Sequence, residues 1–220
     1  MKFDLHIHTH HSSDSNNSVA DIIRLLRSKG FQGAAFLDHN TPDGGREALS
    51  LNEKDFIVIP GIEVSSAEGH ILALNVTDPI ARDMGVRETI DKIHDLGGIA
   101  VAAHPYRYWS GIGENNIIDQ PFDAVETFNG RSPRRSNRKV QTLAETMGIG
   151  VTGGSDSHEN DTLGNAYTIV PDGCDDANKV VQAIKERRSE VGGMHRSPSH
   201  TVKYVTKSVS EWIGRGMRKM

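Results

Sequence analysis

Short apolar runs recur along this chain, and nearly every one of them ends in, or just before, a histidine or a carboxylate. The run at Phe3 to Ile7 carries His6 and His8, and Phe31 to Leu37 leads into Asp38 and His39. Glu63 follows Phe56 to Ile59, His104 follows Ile99 to Ala103, Glu126 sits within Ala124 to Phe128, and Asp156 and His158 follow Ile149 to Thr152. Ile71 to Val76 and Tyr167 to Val170 are further strand candidates. Helical patterns separate several of these runs: Val19 to Ser28, with an apolar side of Val19, Ile22, Ile23 and Leu26 closed by Gly30, then Val86 to Leu96, Ser136 to Met147 and Asn178 to Arg187. That rhythm predicts a mainly parallel sheet with crossover helices. Polar groups at the carboxyl ends of successive strands narrow it further, because those ends converge on one face of a β/α barrel. An open doubly wound sheet would gather its site at one switch point. The residues therefore predict a small or distorted α/β barrel.

At 220 residues the chain suits one domain spanning 1–220, with 195–220 as a covering segment and Val202 to Met217 as a terminal helix over the barrel bottom or rim. A formal charge of -4 and 36% hydrophobic residues give no bias towards duplex nucleic acid or membranes. No apolar stretch is long enough to span a bilayer and none at the N-terminus is signal-like, so the expected location is cytoplasmic. Cys174 is the only cysteine, which excludes an internal disulfide and a thiolate-rich zinc site. Any metal must be held by nitrogen and oxygen. Three stretches read as irregular: Tyr106 to Pro121, Arg131 to Arg135 and Met194 to His200.

Residues two apart in a strand face one side, so His6 and His8 can share an ion while Leu5 and Ile7 enter the core. Alone, such a pair reads equally as two histidines at the core edge. Asp156 and His158 repeat the spacing after Gly153-Gly154, where the backbone can approach a ligand closely. Several clusters of this kind in a chain with 11 histidines point to a functional metal site. Mixed imidazole and carboxylate donors suit manganese, zinc or iron, and the residues do not choose among them. Asp14, Glu63, Glu126 and Asp156 would raise one another's pKa unless cations compensated them. Asp14, in a Ser/Asn-rich loop, reads equally as a cap or a solvated carboxylate, and Glu126 has the weakest case of the set.

The segments Asp4-Leu5-His6-Ile7-His8-Thr9, Leu37-Asp38-His39-Asn40, Pro60-Gly61-Ile62-Glu63, Ala103-His104-Pro105 and Gly154-Ser155-Asp156-Ser157-His158, in this order, carry a resemblance. From residue 3 to about 170 the chain resembles the PHP (polymerase and histidinol phosphatase) superfamily, and within it the small stand-alone metal-dependent phosphoesterases. That resemblance implies a distorted (β/α)7 barrel and two or three divalent ions used in phosphoester hydrolysis. It implies a first ion among His6, His8, Glu63 and Asp156, a second between Glu63, His104 and Glu126, and a third with Asp14, His39 and His158. His70 matches a histidine some relatives add to the cluster, and reads equally as a plain strand residue. His10 and His11 read as bystanders or as lining of the entrance.

For such a centre the expected nucleophile is a metal-bridging hydroxide. His39 or His158 would assist proton transfer to the leaving oxygen, and Asp38 would orient a ligand imidazole. Arg107 and Arg131 are the phosphate-binding candidates, because guanidinium forks match phosphate oxygens and both follow site residues in rim loops. Arg134 and Arg135 read as surface charges, and His195 and His200 as late residues able to reach the rim. With no long basic-aromatic track, the expected partner is a small phosphorylated substrate, a nucleotide or the end of a short single-stranded oligonucleotide, with no membrane and no obligate protein partner. The alternatives are a histidinol-phosphate phosphatase, a non-catalytic metal-binding regulatory PHP module, and an amidohydrolase acting on a C–N bond, for which no bridging lysine can be placed.

Overall fold

The computed structural model describes residues 1–194, so His195, His200 and the terminal helix expected over Val202 to Met217 lie outside the described residues. Nine strands form one sheet: β1 (Lys2–Ile7), β2 (Gly33–His39), β3 (Ile57–Ser65), β4 (His70–Leu74), β5 (Ile99–Ala102), β6 (Ala124–Asn129), β7 (Gly150–Gly154), β8 (Ala166–Ile169) and β9 (Glu190–Gly193). Their order is β7-β6-β5-β4-β3-β2-β1-β8-β9. The sheet curls until β7 meets β1 again: Asp156 N donates to His6 O at 2.7 Å and His8 N to Ser157 O at 3.0 Å. This is a nearly closed α/β barrel. It corrects the expected strand count. The pairings make β1–β3, β5–β7 and β9 run one way and reverse β4 and β8, so seven like-directed strands are joined by two antiparallel ones.

Five helices accompany the strands among the described residues: α1 (Val19–Ser28), α2 (Asp43–Ser50), α3 (Val86–Asp95), α4 (Arg134–Met147) and α5 (Ala177–Lys185). In α1 the apolar stripe Val19, Ile22, Ile23, Leu26 is buried, and Ser18 caps the first turn by accepting from Asp21 N. Arg134 and Arg135, read above as part of an irregular loop, open α4 behind Pro133, whose fixed φ suits a helix start. The unexpected α2 packs its glycines against the sheet. A side chain at Gly44 would collide with Asp38 Oδ2, so only glycine lets this helix lie close to β2.

The strands' inner faces carry apolar residues below and ligating residues above. Ala35 and Leu37 precede His39, Ile59 precedes Glu63, Leu74 and Leu72 lead to His70, and Ala124 precedes Glu126; the apolar members form one cluster with Val180, Val181 and Ile184 of α5. The outer faces pack on α1, and on α3 and α4. Two register shifts lie at the mouth, one in β1 between Asp4 and Ile7 and one in β6 between Glu126 and Phe128. The first lets Leu5 join the inner core while Ile7 joins the α1 layer and His6 and His8 turn inward. Simple alternation, which sends Leu5 and Ile7 to one core, does not apply across this bulge. No helix among the described residues is long and apolar enough to cross a membrane.

Candidate metal centre

Glu63 lies at the middle of the inward-facing histidines. Its Oε1 is 2.8 Å from His70 Nδ1, 2.9 Å from His104 Nε2 and 3.5 Å from His6 Nε2, and its Oε2 is 3.0 Å from His39 Nδ1 and 3.2 Å from His8 Nε2. Five imidazoles around one carboxylate can hold more than one cation, with Glu63 shared between pockets. The donor atoms of His6, His8 and Glu63 all lie within 4.8 Å of one another, as do those of His39, Glu63 and His70, those of His6, His104 and Asp156, and those of His8, His39 and His158. Asp14 completes the last side, 3.1 Å from His158 Nε2 and 3.7 Å from His39 Nε2.

These donors fit a divalent ion. Asp14 Oδ1, both ring nitrogens of His39 and Nδ1 of His104 are buried and make no hydrogen bond, although His39 Nδ1 is close to Glu63. Unsatisfied buried donors and acceptors facing one another are costly unless a cation joins them. Electrostatics agree. Burial would raise the carboxyl pKa of Glu63, yet the charges of His70, His6 and His39 hold it well below the usual range. Burial likewise opposes ionisation of Asp156, but Arg107, His6 and Arg131 keep its pKa low. Burial disfavours protonated His8, and its hydrogen bonds to Asp156 and Glu63 outweigh this and lift it to about 9. His104 falls to about 4 through burial and the nearby Arg107, and His158 to about 3 through burial and the charge of Arg131. Both are thus neutral near pH 7, the form that ligates.

The surrounding hydrogen bonds fix which nitrogen faces inward. Ser12 Oγ donates to Asp38 Oδ1 at 2.7 Å, so it must accept from His8 Nδ1, 3.2 Å away, which leaves His8 Nε2 free for a cation. Asp38 also accepts from Thr9 N and Thr9 Oγ1, both at 2.7 Å. It therefore orients an imidazole through Ser12 and the His8–Ser12 loop, and not by direct contact. Glu126 braces His6 and the turn that carries His104. Its Oε1 holds His6 Nδ1 at 2.8 Å and its Oε2 accepts from His104 N at 2.9 Å and Asn129 Nδ2 at 3.0 Å. His70 lies 2.8 Å from Glu63 through Nδ1, and its ring centroid is 5.5 Å from that of His104. The β6 bulge brings in Asn129, which also donates to Asp156 Oδ2 at 3.1 Å.

Sequence reasoning missed Asn129, Ser12 and Asp4. Asp4 is fully buried and accepts from the backbone N–H groups of His6, Ser155 and Gly164, tying β1 to the turn that carries Asp156. Burial raises its carboxyl to about 6 against those bonds. The signal for it was a charged residue inside an apolar run. Asp156 and His104 both adopt positive φ, at 53° and 27°, a backbone region that non-glycine residues rarely occupy and that is concentrated at functional sites. Gly154 lets β7 press against β1, because a side chain there would collide with His6.

Arg107 and Arg131 both turn into the centre. Arg107 Nη2 is 2.5 Å from Asp156 Oδ2, and Arg131 Nη1 is 3.3 Å from Asp156 Oδ1 and 2.8 Å from His158 Nδ1. Each side chain is 18% exposed, so both stand between the buried centre and solvent. His10 and His11 lie apart from the centre, with their Nε2 atoms 3.6 and 2.7 Å from Glu47 Oε2.

A sequence model of the family described as PHP-associated matches residues 134–189. Uncharacterized protein MJ1587 of Methanocaldococcus jannaschii is 38% identical over 141 residues, which are 59% of this chain and 82% of that protein. The chain belongs to the PHP superfamily. Solved structures share the fold of this PHP protein at low identity. A Bifidobacterium adolescentis protein assigned as a metal-dependent phosphoesterase superposes with a TM-score of 0.60 at 18% identity, covering 84% of this chain and 96% of its own. The lesion-specific endonuclease PfuEndoQ of Pyrococcus furiosus superposes with a TM-score of 0.66 at 17% identity, over 86% of this chain and 57% of the endonuclease.

Proposed function

We propose that this PHP protein hydrolyses phosphate esters with the help of two or three divalent ions, manganese, zinc or iron, held by His6, His8, Asp14, His39, Glu63, His70, His104, Asp156 and His158. The observation that carries this reading is the Glu63 carboxylate within 3.5 Å of five imidazoles, beside a second carboxylate flanked by two guanidiniums. Divalent ions in such a centre lower the pKa of a water and neutralise phosphoryl oxygens. The protein's own groups do the rest. Arg107 and Arg131 bind the phosphoryl oxygens that face solvent, their planar forks matching that geometry. Glu126 and the Ser12–Asp38 pair hold His6 and His8 with Nε2 inward. His158, neutral near pH 7, and His39 both serve as ligands beside His8.

The substrates are small: a phosphomonoester, a nucleotide or the end of a short oligonucleotide. Protein reconstituted separately with Mn2+, Zn2+ and Fe2+ should hydrolyse a member of a panel of phosphomonoesters, nucleoside bisphosphates and short oligonucleotides. A His8→Ala/Asp156→Ala double variant should lose that turnover. Full metal binding without turnover on any class would overturn the hydrolytic reading and favour a binding role.

A further inference from the structure

We propose that Tyr108 and Trp109, at the mouth of the metal centre, form a stacking platform for the base of a nucleotide whose phosphate is held by Arg107. The proposal rests on the phosphoesterase reading above and names its substrate class. The loop that bears them starts and ends at metal-centre residues. Arg107 N donates to His104 O at 2.9 Å, Gly111 N to Arg107 O at 3.0 Å and Gly113 N to Pro105 O at 3.0 Å, while Ser110 O accepts from His70 N at 3.1 Å. Held in this way by His104 on one side and His70 on the other, the loop cannot drift from the centre. Its apex therefore stays at the entrance.

Consecutive residues on this loop point in opposite directions. Arg107 turns inward to Asp156 and to Asn129 Oδ1, 2.8 Å away. Tyr108 and Trp109 turn outward, 86% and 64% exposed, and they are the only exposed tyrosine, tryptophan or phenylalanine side chains among the described residues. Tyr106 on the same loop is more buried: its hydroxyl donates to Glu114 at 2.6 Å and Lys139 lies 3.8 Å over its ring. The two exposed rings stand 4.6 Å apart and nearly perpendicular, at 89°. That arrangement offers a flat π face beside a polar edge.

Neighbouring chemistry selects the occupant. An apolar protein partner would call for a wider apolar surface, but the residues flanking the pair in sequence are Arg107, Ser110 and Gly111. What this loop presents is an aromatic face next to a guanidinium that reaches the ester site. A base joined to a phosphate matches both. A formal charge of -4 and the lack of a basic track favour a mononucleotide or a chain end over a long strand.

The chain has only one other tryptophan, Trp212, so a Trp212→Phe variant reports on Trp109 alone. Metal-loaded protein in this background would be titrated with adenosine monophosphate, ribose 5-phosphate and inorganic phosphate. Adenosine monophosphate should quench Trp109 fluorescence saturably, the other two should not, and adding Tyr108→Ala should weaken the nucleotide about 5- to 100-fold, the range for loss of one base stack. Equal binding of the nucleotide and ribose 5-phosphate, or no effect of Tyr108→Ala, would overturn the platform. Turnover on the same ligands separates the two readings. Hydrolysis indifferent to the base sinks the platform and keeps the phosphoesterase, whereas Tyr108-dependent nucleotide binding without hydrolysis keeps the platform and sinks the phosphoesterase.

Discussion

Glu63 and Asp156 are equally buried carboxylates a few ångströms apart, yet their surroundings differ. Glu63 meets only imidazoles, from β1, β2, β4 and the turn after β5. Asp156 meets imidazoles on one side and the guanidiniums of Arg107 and Arg131 on the other. Neutral imidazoles are ligands and share a cation with the carboxylate, whereas guanidiniums cannot give up a proton and instead bind oxyanions. The Glu63 side is thus the interior of the metal centre. The Asp156 side carries the two guanidiniums, each 18% exposed.

Substitutions should separate these two sides. The largest loss is expected from Glu63→Gln, which removes the shared ligand and should lower turnover by roughly 1000-fold or more, beyond the 10–100-fold typical of groups that only orient ligands. Metal affinity should next depend steeply on pH. His8 keeps its proton up to about pH 9 in metal-free protein and His6 is raised as well, so a cation must displace protons and affinity should rise at least about tenfold per pH unit from 7 towards 9, read by competition with a chelator. Flat affinity over that window would mean that no proton leaves on binding.

Arg107→Ala or Arg131→Ala should raise KM about 10- to 100-fold, the loss of one or two charged hydrogen bonds, with the ion count unchanged. A fall in ion count would instead make them supports of Asp156. The smallest effect belongs to Ser12→Ala, which frees the His8 ring and should weaken metal binding about tenfold while leaving KM for substrate alone. In thermal melts, metal-free protein should lose stability as pH rises from 6.5 through about 9. The raised pKa of His8 gives a contribution that is complete below 6.5 and gone above the folded value, and bound metal should abolish the trend.

How much of this was legible follows from what local sequence encodes. A histidine or carboxylate at the end of an apolar run is a local pattern, so the strand ends, α1 and the candidates His6, His8, His39, Glu63, His104, Asp156 and His158 could be read directly, whereas Asp14 and His70 lie outside that pattern. Bulges are not local patterns. Leu5 and His6 share the inner side only because β1 shifts register against β2, and Asn129 reaches Asp156 because β6 does the same against β7. The helix α2 opens Asp43-Gly44-Gly45, which reads as a turn, because the need for glycine there comes from Asp38 and Pro60 across the interface. Strand β9, Glu190-Val191-Gly192-Gly193, lacks an apolar run and forms by pairing with β8. Contacts between strands are likewise hidden: His70 and Glu126 both sit at strand positions facing the barrel, and only the third dimension shows that His70 Nδ1 lies 2.8 Å from Glu63.

The most direct test of the shared carboxylate is the metal content per chain, by elemental analysis, of wild-type protein and of Glu63→Gln after identical loading and desalting. Wild-type protein should carry more than one ion per chain, and the variant should lose at least two together while keeping the wild-type circular dichroism spectrum. Loss of a single ion, or of none, would contradict a centre built around Glu63.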